Sequence, residues 1–151
     1  MFRHRPSELF FQLAKERDIG VITRVPLASG LLTGKMTPET TFAPDDHRTF
    51  NREGEAFDRG KTFAGVDFEL GLDAVDALKG LFPDDPGLVL WALRWILMFE
   101  EVSCVIPGAS TVEHLEANVT ASELPRLTED QMTGVKEIYR ETVKDSVHQR
   151  W

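Results

Sequence analysis

Two short β-rich runs are all this chain offers toward a sheet: IGVITRV at 19–25 and VSCVI at 102–106. Pro26 closes the first and Pro107 follows the second, and proline has no amide N–H to give a ladder. The segments around them carry helical periodicity. Strands alternating with helices indicate a parallel sheet and the α/β class. Two strands do not make an independently stable sheet. A chain of 151 residues is long enough for one ordinary core, yet its pattern reads as part of something larger.

The helical segments are easily placed. Ser7 to Arg17 is expected to form a helix with Leu9, Phe10, Leu13 and Ala14 on one face. Phe68 to Leu81 repeats Leu72, Val75, Leu78 and Leu81 at the same period. Leu88 to Phe99 is almost wholly apolar and reads as a helix buried on most sides. Ser110 to Glu113 and Thr128 to Gln131 match the capping-box pattern, opening helices to about Ala121 and about Lys144. Between Ala28 and about Asp67, Gly, Pro, Thr and Asp interrupt both periods. Connections of that length are usually functional or mobile. The tail from Val147 to Trp151 shows no periodicity.

Composition excludes several functions. Lys and Arg total 17 against 25 for Asp and Glu, a net charge of −8, which argues against nonspecific nucleic-acid binding. No apolar run reaches the roughly 18 residues of a membrane span, and MFRHRPSELFF has no apolar stretch typical of a signal peptide. The expected compartment is therefore the reducing cytoplasm. Cys104 is the only cysteine; mid-strand, it is expected to be a buried structural thiol. The histidines at 4, 47, 114 and 148 lack metal-ligand spacing and are expected to be solvated surface imidazoles. No metal site is expected.

SGLLTGK at 29–35 fails as a Walker loop, because only three residues separate Gly30 from Gly34 and Met36 follows Lys35. A weaker idea survives. Pro26 and Gly30 shape a bare turn after a strand, and Lys35 places a cation a few residues on. That arrangement suits a phosphate at the C-terminal end of a parallel strand. After the second strand, Gly108, Ala109 and Ser110 lead into a helix whose first amides lack intrahelical partners. Anion binding and a plain helix cap explain that segment equally well.

At these two segments the chain resembles the aldo-keto reductase family. Ile22 to Lys35 (ITRVPLASGLLTGK) is similar to the family's strand-seven segment. Val105 to Ser110 (VIPGAS), with Asn118 ten residues beyond Gly108, is similar to strand eight and its helix, and Ala92 to Leu97 (ALRWIL) to the buried helix between. The resemblance implies the C-terminal portion of a (β/α)8 TIM barrel, about strands seven and eight, with a long loop over the cofactor at about 28–67. Such barrels usually take about 250 residues, and this chain looks like a fragment beginning just after strand six.

The family transfers hydride from NADPH to an aldehyde or ketone. By resemblance, Pro26, Leu27, Ala28 and Ser29 line the pyrophosphate of NADP(H), and Lys35 and Arg48 supply cations to its phosphates. Gly108, Ser110 and His114 surround the ribose 2′-phosphate, and Asn118 lies near the adenine. His114 stands where Gln or Arg is common, and Ala117 replaces a frequent acidic residue. The catalytic Asp, Tyr, Lys and His belong to earlier strands, so no catalytic residue is expected here. Tyr139, the sole tyrosine, is expected at the surface of a C-terminal helix. A sheet this small should leave strand edges and the faces of Trp91 and Trp95 open. The expected partners are NADP(H) and either a second copy or an N-terminal half; a self-associating remnant and a non-catalytic dinucleotide-binding module are the alternative readings.

Overall fold

A computed structural model describes residues 1–58 and 62–150. Among them are β1 (Val21–Arg24) and β2 (Val102–Ile106), paired in parallel with Ile22 opposite Cys104 and Arg24 opposite Ile106. The α/β class and the incomplete sheet thus agree with the sequence.

Seven α-helices occur among these residues: α1 (Phe10–Glu16), α2 (His47–Phe50), α3 (Phe68–Leu81), α4 (Leu88–Ile96), α5 (Val112–Thr120), α6 (Glu129–Ile138) and α7 (Lys144–Val147). Asp67 caps α3 by accepting the Leu70 amide at 3.1 Å, and Phe68, Leu72, Val75 and Leu78 bury its apolar face. That face meets α6 and the π-helical turn Tyr139–Val143 that continues it. Close approach matters here. A Cβ on Gly134 would stand 2.8 Å from the Leu81 side chain. The capping box at Thr128 forms as expected, with Gln131 answering it. At the other box, the cap is Thr111 rather than Ser110: its hydroxyl accepts the His114 amide at 3.2 Å.

Several burial expectations are reversed. Cys104 is exposed, because strand alternation turns it to the sheet face that no helix covers. Trp91 and Trp95 are both only 6% exposed: Trp91 stacks on Phe82 at 5.6 Å, and Trp95 packs against Phe99 and His4. Tyr139 is buried, not on the surface. His4, expected in solvent, lies between Trp95 at 4.9 Å and Tyr139 at 4.0 Å. Burial pushes its imidazole down to about 3, so the ring is neutral, and its Nε2–H donates to the Met1 carbonyl at 2.7 Å. The N-terminal helix begins at Phe10, and only Ala14 of the expected face is buried, with Leu9 and Phe10 at 64% and 50% exposure.

The long connection is not structureless. A 3-10 segment spans Ala28–Thr33 and a second spans Phe63–Gly65. Asn51, fully buried, ties the intervening chain together: its carbonyl accepts the Ala56 and Phe57 amides at 2.9 and 2.7 Å, and its Nδ2 donates to Thr62 at 3.3 Å. Phe42, Phe63 and Phe68 form an aromatic trio beneath it, with neighbouring centroids 5.0 to 6.3 Å apart. The tail also departs from expectation, since His148–Arg150 forms a 3-10 turn; Trp151 lies outside the described residues. Among those residues, no helix is long and apolar enough to cross a membrane.

Candidate functional site

Because β1 and β2 run parallel with Arg24 beside Ile106, the segments after them emerge at one end of the sheet. The first is held in an unusual backbone. Val25, Ala28 and Ser29 all take positive φ, at 50°, 50° and 54°, with Gly30 at 97°. Three non-glycine residues in the left-handed region within five positions is costly, most of all for a β-branched valine. Such strain concentrates where a chain must present specific groups. Gly30 also has no room for a side chain, since a Cβ would stand 2.8 Å from the Met36 methyl.

What the strain presents is Ser29. Its hydroxyl accepts the Phe63 amide at 3.2 Å, and His47 Nε2 stands 3.4 Å away. Arg48 Nη1 reaches the Ser29 carbonyl at 3.5 Å. The guanidinium is set by two further contacts. Asp46 grips it in fork geometry, Oδ1 on Nε at 3.0 Å and Oδ2 on Nη2 at 2.6 Å, and the ring of Phe42 lies 4.3 Å beneath it. Hydrogen bonding to Arg48 holds the Asp46 carboxyl down to about 2, and the same pairing raises Arg48 further. Pro26 and Ala28 are buried beneath this cluster and Leu27 is half-buried.

Thus Ser29 and Arg48, nineteen residues apart, are brought together. Lys35 is not: it is exposed, follows the turn at Gly34, and makes no side-chain hydrogen bond or ion pair among the described residues. Asp46, His47 and Phe42 belong to the cluster and escaped the sequence reading. The available signal was the acidic Asp46 before His47-Arg48-Thr49, the pattern of a helix cap that also faces an arginine two residues on.

The second segment is gathered more loosely. Asn118 Nδ2 donates to the Gly108 carbonyl at 3.4 Å, and Ser110 Oγ lies 3.1 Å from His114 Nδ1. Gly108, Ser110 and His114 are exposed and Asn118 is half-buried. All four sequence-derived residues therefore share one locality, at the end of β2 and the first turns of α5.

Beside the strand ends opens a cavity of about 720 Å³, lined by Phe2, Ile22, Val25, Pro26 and Trp95, with Arg3, Arg5 and Arg24 among its polar groups. One cluster could resemble acid–base machinery. The Tyr139 hydroxyl and His148 Nδ1 share a hydrogen bond at 2.9 Å, and His148 Nε2 stands 3.5 Å from Glu8. None of the three lines that cavity. Their contacts tie the C-terminal helix to the N-terminal segment, where Arg5 also donates to the His148 carbonyl at 3.0 Å.

Comparison with known proteins gives a consistent result. The profile of the Aldo/keto reductase family matches residues 1–140. Aldo-keto reductase str7 of Strobilurus tenacellus is 30% identical over 140 residues, covering 91% of this chain and 38% of its own. L-glyceraldehyde 3-phosphate reductase of Escherichia coli O157:H7 is 38% identical over 108 residues, covering 71% of this chain and 30% of its own. Among solved structures, glycerol dehydrogenase AKR11B4 from Gluconobacter oxydans superposes with a TM-score of 0.72 at 25% identity, over 91% of this chain and 39% of that one. The holo form of aldo-keto reductase AKR11C1 from Bacillus halodurans gives 0.62 at 25% identity, over 97% and 42%. The chain spans about two fifths of the length of relatives such as the Strobilurus reductase.

Proposed function

This chain belongs to the aldo/keto reductase family, and from that premise we propose that it carries the phosphate-gripping part of an NADP(H) site. The observation that supports this reading most is the meeting of Ser29 and Arg48 across the intervening loop. A guanidinium held in plane by Asp46 and Phe42 is prepared for bidentate contact with a phosphate. The strained turn at 25–30 sets the Ser29 hydroxyl and carbonyl beside it. These groups fit a pyrophosphate, with Pro26, Leu27 and Ala28 forming the floor. Lys35 is a poor fit to the same role, because its side chain has joined no part of the cluster.

Ser110, His114 and Asn118, with the open backbone at Gly108, suit the ribose 2′-phosphate and adenine end. Ser110 and the first amides of α5 would donate hydrogen bonds there, and His114 would add charge when protonated. When bound, the nicotinamide supplies hydride; this chain's residues bind and orient its charged end. Carbonyl reduction also needs a proton donor at the forming alkoxide. None of Glu8, His148 and Tyr139 lines the cavity, and the chain by itself is expected to be inactive.

Titration with NADPH, followed by tryptophan fluorescence, tests the binding claim. Saturable quenching is expected, weakened at least about tenfold in Arg48→Ala, the scale of one lost charge-assisted contact. Absence of saturable change at millimolar NADPH overturns it. An NADPH-consumption assay with 4-nitrobenzaldehyde tests the second claim: turnover by the purified chain above buffer refutes the expected inactivity.

A further inference from the structure

The end of β1 carries a cation that phosphate binding leaves unused. Arg24 closes the strand, opposite Ile106 at the end of β2. It is exposed, as is Ile22 two residues earlier, whereas Thr23 between them is half-buried. Strand alternation therefore turns Arg24 to the face without helices. In a parallel β/α barrel that face is the interior, and the C-terminal strand ends form the mouth where chemistry takes place. Arg24 stands at that mouth, one residue before the strained turn that begins at Val25.

Two other arginines line the cavity beside the strand ends, and both are occupied. Arg3 Nε donates to the Ala64 carbonyl at 3.1 Å, and its guanidinium lies in the field of Asp58. Arg5 donates to the His148 carbonyl at 3.0 Å. The Arg24 side chain has no hydrogen bond, ion pair or ring partner among the described residues. His4, also in the lining, is neutral, and among the described residues Asp58 is the one acidic side chain there. Three guanidiniums thus share this cavity with one carboxylate.

The phosphate-gripping groups set the direction of a bound dinucleotide. On the proposed reading, Ser110, His114 and Asn118 take its adenine end, and Ser29 with Arg48 its pyrophosphate. The nicotinamide then continues away from α5, past the end of β1, where Arg24 borders its path. A planar guanidinium can lie against either redox state of that ring. Charge separates the two, because the oxidised ring is cationic and the reduced ring is neutral. A fixed cation beside the ring disfavours the oxidised form.

We propose that Arg24 is a specificity-determining residue that makes the site prefer NADPH to NADP+. This rests on the cofactor reading above and adds the redox state that the site selects. Weak hold on the oxidised form favours its release after hydride has left, and so the reducing direction.

Isothermal titration of the complete 151-residue chain compares NADPH, NADP+ and 2′-phospho-ADP-ribose, the cofactor without its nicotinamide. The parent should bind NADPH at least about fivefold more tightly than NADP+, the scale of one contact between unit charges in water. Arg24→Gln should remove most of that ratio, and Arg24→Lys should retain it. Both variants should bind 2′-phospho-ADP-ribose as the parent does. Arg48→Ala provides the contrast: acting on phosphates, it should weaken all three ligands alike. Equal affinity of the parent for the two redox states overturns the proposal, and so does a ratio that Arg24→Gln leaves unchanged. Those results leave the phosphate site standing. If none of the three ligands binds at millimolar concentration, the cofactor reading fails and this inference falls with it.

Discussion

The two segments that leave the sheet together are built in opposite ways. At the end of β1, Ser29 and Arg48 are fixed from several sides, by Asp46, Phe42, the Phe63 amide and a strained backbone. At the end of β2, Ser110, His114 and Asn118 touch one another or the Gly108 carbonyl, in solvent. The first resembles a receptor assembled before its ligand arrives. The second keeps its polar groups with few constraints, as suits a surface that gains order on contact. Preorganisation is valuable where a rigid group must meet a double negative charge, since ordering costs are then met in folding.

That contrast can be broken most severely at Asn51. Asn51→Ala removes the acceptor for two amides and a donor to Thr62, and buried groups left unpaired cost about 2 kcal/mol. Urea denaturation should register that loss, together with weaker NADPH binding. Ser29→Ala should cost about 1 kcal/mol, because the Phe63 amide loses its acceptor. Equal stability of this variant and the parent would mean the hydroxyl is not part of the fixed cluster.

Acid sharpens the comparison differently. The Asp46 carboxyl is held at about 2, below its ordinary 3.8. The unfolded chain therefore takes up this proton first as pH falls. Stability from the pair is fully present above pH 3.8 and is lost as pH falls through about 2. Thermal melts between pH 5 and 2 should show Asp46→Asn losing less stability than the parent over that window. The smallest effects belong to the second segment. Ser110→Ala should change stability by less than about 0.5 kcal/mol, as exposed substitutions do, while lowering affinity for NADPH more than for NADH. Equal losses for both cofactors would separate the segment from the 2′-phosphate.

Periodicity made some elements legible to the residue. Phe68–Leu81 and Val102–Ile106 stand where the apolar pattern puts them, because local spacing and tertiary burial agree there. Burial was legible only where the fold is complete. Cys104 and the tryptophans exchanged places relative to expectation, since a strand in an open sheet has one bare face whereas α4 is covered by Phe82 on one side and His4 on another. The cation legible in the sequence after the strand was Lys35; Arg48 came only through the family resemblance, and its orientation was not legible. The partners that set it, Asp46 and Phe42, act through a helix cap and a ring contact that no period encodes.

The run Val25–Gly30 has a consequence for anyone who would improve this protein. Substituting glycine for Val25 or Ala28 would relieve the unfavourable left-handed geometry at about 1–2 kcal/mol per site, partly offset by the entropy of a looser unfolded chain. The turn would then relax toward many shapes instead of one. A hardier molecule obtained that way would have slackened the spring that holds Ser29 against Arg48.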